Sequence, residues 1–184
     1  MRIPLSVAGV LFLLYPALRP WHDETTTSGA AAAMGSTAWV VAHLCAMLGF
    51  VLVALALLDI HRPSAITFWI GAGLTLPYYG AEDFGLHAIA AQPNLVDLAG
   101  SVRYNPVAIT MFGVGLLTMA AGAVMVAIRL RTVPAILFAT GFVLFLPQFF
   151  APPAVRIVHG VLLAVGCVWL ASNPKRVEAV LSPA

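Results

Sequence analysis

Thr37-Ala38-Trp39-Val40-Val41-Ala42-His43-Leu44-Cys45-Ala46-Met47-Leu48-Gly49-Phe50-Val51-Leu52-Val53-Ala54-Leu55-Ala56-Leu57-Leu58 is an apolar run with one ionisable side chain, His43. Its length matches the roughly 20 residues with which a helix crosses a hydrocarbon layer about 30 Å thick. The run does not alternate between apolar and polar residues, so a transmembrane barrel strand does not fit. The rest of the chain has the same character: 61% of its 184 residues are hydrophobic and 9% are charged, with a mean hydropathy of +0.99. A soluble domain carries about 25% charged residues. The sequence therefore predicts an all-α integral membrane protein, a single transmembrane helical domain over residues 1–184.

Working outward from that run, the chain divides into about six spans: 3–19, 37–58, 64–79 with an extension to 91, 106–128, 133–150 and 154–172. Pro4 fits a first helical turn, and Arg19-Pro20 closes the first span. A cleaved signal peptide is the rival reading of 3–19, given its short apolar core and the alanines at 30–33; retention is preferred. Thr27 or Ser28 is expected to cap the second helix, Asp59 to Pro63 to make a tight turn, and Gln92 to Asn105 to form a loop. Pro152-Pro153 break the fifth span, and Asn173-Pro174-Lys175-Arg176 stop the sixth. Arg2, Arg62, Arg129, Arg131, Lys175 and Arg176 then share one side, against Arg19, Arg103 and Arg156 on the other. Basic residues concentrate in cytoplasmic loops, which places both termini in the cytoplasm. Short loops without appended domains suit a bacterial inner membrane.

A net charge of +2 is too small and scattered for a nucleic-acid surface. The partners expected are the lipid bilayer and a lipophilic small molecule, and a homo-oligomer is compatible with the composition. Cys45 and Cys167 have no CxxC or CxxCH spacing. Counted along their helices they lie roughly 21 Å and 9 Å above the inner ends, so they read as small apolar fillers rather than a disulfide. The run from Ser64 to Pro77 lines up with Pro134 to Pro147 through shared Ala, Ile, Phe, Gly, Leu and Pro. That echo predicts a parallel duplication of spans two–three and four–five. The glycines of spans three and four read as close-packing positions.

The polar residues gather at one level. Leu76-Pro77-Tyr78-Tyr79-Gly80-Ala81-Glu82-Asp83-Phe84-Gly85-Leu86-His87 places two carboxylates and an imidazole beyond an apolar run. Ionisable groups at a hydrocarbon layer mark a site by default. At 1.5 Å per residue, His43, Glu82 and His159 lie about 24, 28 and 21 Å from the inner ends of their helices, in the outer third. Arg156 belongs to that level, and Asp83, His87 and Arg103 to the outer boundary. Pro77 and Pro147 each remove a backbone hydrogen bond, freeing carbonyls to line a cavity. An outward-opening pocket between spans two, three, five and six follows.

Three functional readings result. In the first, an acid–base enzyme acts on, or a protein binds, a small lipophilic substrate. Glu82 or Asp83 would be the acid, His43 or His87 its partner, Tyr78, Tyr79, Arg156 and His159 the binding groups, and Arg156 the anion clamp. In the second, His43, His87, His159 and Glu82 hold a divalent metal or a b haem, although no HxxxH, HExxH or ExxH spacing supports it. In the third the chain is a non-catalytic membrane subunit or a transporter; the nearly apolar inner halves of the helices count against transport.

Overall fold

The computed structural model describes residues 1–173, which are helical with no strand among them. The helices are α1 (Arg2–Leu18), α2 (Thr27–Met34), α3 (Thr37–Leu57) and α4 (Arg62–Gly80). A π-helical turn (Ala81–Gly85) leads from α4 into α5 (Leu86–Ala88), followed by α6 (Leu95–Arg103) and α7 (Pro106–Leu130). Then come α8 (Val133–Val143), a 3-10 turn (Pro147–Phe150) and α9 (Pro153–Ser172). Helices α3, α7 and α9 are long and apolar enough to cross a membrane, while α1 and α8 are apolar but shorter.

Six of these helices close into a ring. Helix α1 packs on α3, α3 on α4, α4 on α7, α7 on α8, α8 on α9, and α9 returns to α1. Phenylalanines fill the interior: Phe12, Phe50, Phe68, Phe138, Phe142 and Phe145 are all buried. Phe68 of α4 meets Phe142 of α8 edge-on at 4.9 Å, a contact across the ring, and Phe12 of α1 lies 5.3 Å from Phe50 of α3. Such tilted aromatic pairs add about 0.5–1.5 kcal/mol each beyond the area they bury. The outward faces are apolar as well, with Leu44, Leu48 and Leu55 of α3 and Val158, Val161 and Val165 of α9 exposed.

Small residues set the closest approaches. A Cβ on Gly71 would fall 2.6 Å from the Gly115 carbonyl oxygen, and one on Gly115 would fall 2.3 Å from Thr75 Oγ1. The glycines of α4 and α7 thus bring two backbones together. At the α1–α9 contact, a Cβ on Gly160 would meet Pro16 Cγ at 2.7 Å. Cys45 and Cys167 are buried free thiols.

Several expectations need revision. The fifth span does not run to 150: α8 ends at Val143, because Pro147 has no N–H to return to the Val143 carbonyl. The stretch Gln92–Asn105 is not a plain loop but holds α6, where Leu95, Ala99 and Val102 recur at one-face spacing. With Ala30, Ala33 and Met34 of α2 and Leu86 they form a second apolar cluster, a cap over the ring. Helix α2 is separate from α3: its cap is Thr26, whose Oγ1 accepts from Gly29 N–H, and Ser36 Oγ opens α3 by accepting from Trp39 N–H. Residues 80–91 continue α4 through Pro77 as far as Ala88, so the extension is helical. The ring places Arg2, Arg62, Arg129 and Arg131 at one end and Arg19, Arg103 and Arg156 at the other. Lys175 and Arg176 lie outside the described residues.

Candidate functional site

The backbone irregularities that shape the site come from identifiable residues. Pro20 has no N–H to give the Pro16 carbonyl four residues back, and the Trp21 indole N–H takes that acceptor at 3.0 Å. Trp21 is thereby folded over the end of α1. In the π-helical turn, Leu86 N–H reaches Ala81 and Asp83 rather than Glu82, and the Glu82 carbonyl accepts the buried Trp39 indole N–H at 3.0 Å. This widened turn fixes the position of Glu82.

The two indoles alternate with three guanidinium groups. Arg19 Cζ lies 4.6 Å from the centre of the Trp21 ring and 4.8 Å from that of Trp39. Arg156 Cζ is 4.8 Å from the other member of that pair, Trp21, and Arg103 Cζ is 6.0 Å from Trp39. Two carboxylates cross-link the row. Glu82 is held by Arg103 through Nε–Oε1 at 2.6 Å and Nη2–Oε2 at 3.1 Å. Glu24 accepts from Arg103 Nη2 at 2.8 Å and from Arg19 Nη2 at 2.6 Å. Burial works against the charge on Arg103, but Glu82 and Glu24 outweigh it and hold its pKa above the ordinary value. Arg156 pairs with no carboxylate among the described residues; its Nε donates to the Gln148 side-chain oxygen at 3.0 Å, and its Cζ lies 5.2 Å from the Phe149 ring centre.

Below this row lies a cavity of about 430 Å3, within the range typical of small-molecule sites. Part of its lining is polar, with Arg19, Glu24, His43, Tyr79, Glu82 and Arg156. The rest is apolar, with Ile109 and Phe112 of α7 and Leu146, Phe149 and Phe150 of the segment after α8. Because α8 stops early, that segment rather than a full helix faces α7.

Of the residues singled out from the sequence, Tyr78, Tyr79, Glu82, His43 and Arg156 all line this cavity. Tyr78 stacks on Phe112 at 4.3 Å. Tyr79 is buried, and its hydroxyl has no hydrogen-bond partner among the described residues. His43 Nδ1–H donates to Trp39 O at 2.8 Å; a carbonyl only accepts, so in the neutral ring Nε2 carries the lone pair.

Asp83, His87 and His159 do not join them. Asp83 is one residue on from Glu82 and therefore on another face; it is fully buried, with both oxygens unpartnered. Burial pushes its pKa up to about 6, with His87 pulling the other way. The two acids are thus not a pair facing one chamber. His87 Nδ1–H donates to Met34 O at 2.7 Å, tying the turn to α2. His159 Nε2–H donates to Gly141 O at 2.7 Å, tying α9 to α8. All three imidazoles in question are bonded to backbone carbonyls, and no group of three His, Cys, Asp or Glu side chains among the described residues is placed to hold a metal ion.

The pocket also draws on elements outside the four spans expected to enclose it. Tyr15 of α1, Arg19 at its C-terminal cap, Glu24 from the following loop, and Arg103 from α6 line the cavity. The signal for Arg19 and Arg103 was their shared outer level, and for Trp39 its place in the first turn of an apolar helix, where interfacial aromatics collect. Comparison with protein-family models, curated proteins and solved structures gives no match.

Proposed function

We propose that α1, α3, α4, α7, α8 and α9 are six membrane spans of a bacterial-type inner-membrane protein with both termini cytoplasmic. In this reading the pocket opens at the outer face and binds a small amphipathic molecule. The observation that carries it is a single chamber lined by both ionic and apolar side chains. A head group would meet Arg19, Arg156 and Tyr79, and an apolar body would lie on Phe112 and Leu146. The α3–α4 and α7–α8 hairpins, which share the Pro77 and Pro147 echo, would be the duplicated units. Packed phenylalanines fill the ring below the chamber, which favours binding over passage across the membrane.

One feature supports an acid–base reaction at this site. His43 Nε2 is an available base, and the unpartnered Tyr79 hydroxyl is an available donor, with ring centroids 6.0 Å apart. Glu82, held twice by Arg103, is the less available acid. Binding itself is tested by native mass spectrometry of the purified chain incubated with oleyl alcohol. Gly113 lines the cavity with open space around its Cβ direction, so Gly113→Trp should fill the chamber. A wild-type adduct that Gly113→Trp lacks is expected; no adduct, or equal adducts in both, would refute the reading.

A further inference from the structure

We infer that the pocket selects amphiphiles bearing a single negative charge, a carboxylate or a phosphodiester, with the head group at Arg156 and the tail running out between α7 and the segment after α8. This inference rests on the pocket being a binding site. Three independent features converge on it.

The first is charge. Three guanidiniums, Arg19, Arg103 and Arg156, face two carboxylates, Glu24 and Glu82. Both carboxylates are taken by Arg19 and Arg103. Arg156 is left with a neutral amide and two aromatic faces. One uncompensated positive charge in a partly enclosed site matches one negative charge on a ligand.

The second is the kind of hydrogen-bonding capacity left over. Two buried polar atoms on cavity-lining residues have no partner among the described residues, and both can donate: Tyr79 Oη–H, which can also accept, and Arg19 Nε–H, which cannot. The Tyr79 residue is only 2% exposed and the Arg19 side chain 10%. Buried donors without partners are costly, and an anionic oxygen cluster satisfies them where a hydroxyl or amine satisfies fewer. The unpartnered acceptors of Asp83 belong to a residue that does not line the cavity.

The third is the mouth. Where α8 has ended, Ile109 and Gly113 of α7 line the cavity together with Leu146, Phe149 and Phe150, and Phe112 meets Phe149 at 5.3 Å. Phe150 is 88% exposed at this edge. A side opening framed by apolar side chains admits a hydrocarbon tail and leaves the charged row at the head-group level.

The experiment uses the full chain in nanodiscs of neutral lipid and four probes with one oleoyl or oleyl chain: oleate, oleoyl-lysophosphatidylglycerol, oleyl alcohol and oleylamine. Affinities are read by native mass spectrometry. At least one anion should bind about tenfold or more tightly than the alcohol, and the amine most weakly. Arg156→Gln should erase the anion's advantage, and Arg156→Lys should keep most of it. Preference for oleate alone identifies free acids as the source, and preference for the phosphodiester identifies a lipid head group. The inference is overturned if the alcohol or amine matches both anions, or if Arg156→Gln, folded by its unfolding temperature, keeps the preference. If the probes bind alike and Gly113→Trp abolishes all of them, the head-group rule falls and the binding site stands. If Gly113→Trp leaves anion binding intact, the binding site itself falls.

Discussion

Replacing Arg103 by methionine removes the centre of the charged row while keeping an apolar stem of similar length against Trp39. Arg103 makes two hydrogen bonds to Glu82 and one to Glu24. Charge-assisted bonds contribute roughly 1.5–3 kcal/mol each. The Glu24 bond counts for less, because Glu24 keeps Arg19 and is the more exposed acid. The larger effect falls on Glu82, a buried carboxylate that loses both of its guanidinium contacts. Breaking such a pair from one side costs about 3–5 kcal/mol, and that is the loss expected for Arg103→Met in equilibrium unfolding in detergent micelles. The control is the double variant Glu82→Gln, Arg103→Met. With the unpaired charge gone, it should recover about 1–2 kcal/mol of that loss. A single variant within about 1 kcal/mol of wild type, or a double variant no more stable than the single, would refute the account of Glu82 as a buried charge held by Arg103.

Gly115→Ala should destabilise by about 1–3 kcal/mol through overpacking against Thr75 and Gly71, whereas Gly113→Ala should be neutral or gain up to about 1 kcal/mol; parallel melting curves separate them. Trp39→Phe keeps the ring but leaves the Glu82 carbonyl without its indole donor, a loss of about 1–2 kcal/mol in the same assay. Asp83, raised to about 6 by burial, contributes stability that is complete below its unfolded value of about 3.9 and is lost as pH rises through 6. Asp83→Asn should therefore melt above wild type at pH 8, with the gap closing by pH 4; a gap of equal size at both values would sink this.

What the sequence revealed tracks how local its cause was. Helix starts at Arg62-Pro63, Asn105-Pro106 and Pro152-Pro153 are written in proline and cap chemistry, and they fall within a residue or two of the expected bounds. A shared level for His43, Glu82 and Arg156 was expected from counting rise per residue, and all three line one cavity. Facing was harder. Glu82 and Asp83 are neighbours in sequence, yet the roughly 100° step between successive helical residues turns them to different faces, and the widened turn at Ala81–Gly85 has no residue signature of its own. His159 sits at the right height but is aimed at the Gly141 carbonyl. The pairing of Arg19 with Glu24 and of Arg103 with both acids depends on loops crossing the end of the ring, which no periodicity encodes. Helix α6 was legible in principle, from Leu95, Ala99 and Val102, but its polar flanks read as loop.

The ring order bears on how the chain assembles. Each helix finds its neighbour among those just before or after it, so most of the bundle can zip up as it is made. The join between first and last helix is different, since α1 must wait with one flank uncovered until α9 arrives. Arg19 and Trp21 follow the first of these helices and Arg156 lies on the last, so the stacked Arg19–Trp21–Arg156 clasp forms across that final seam. A half-made chain would lack this clasp, and the chamber comes into being only when the circle shuts.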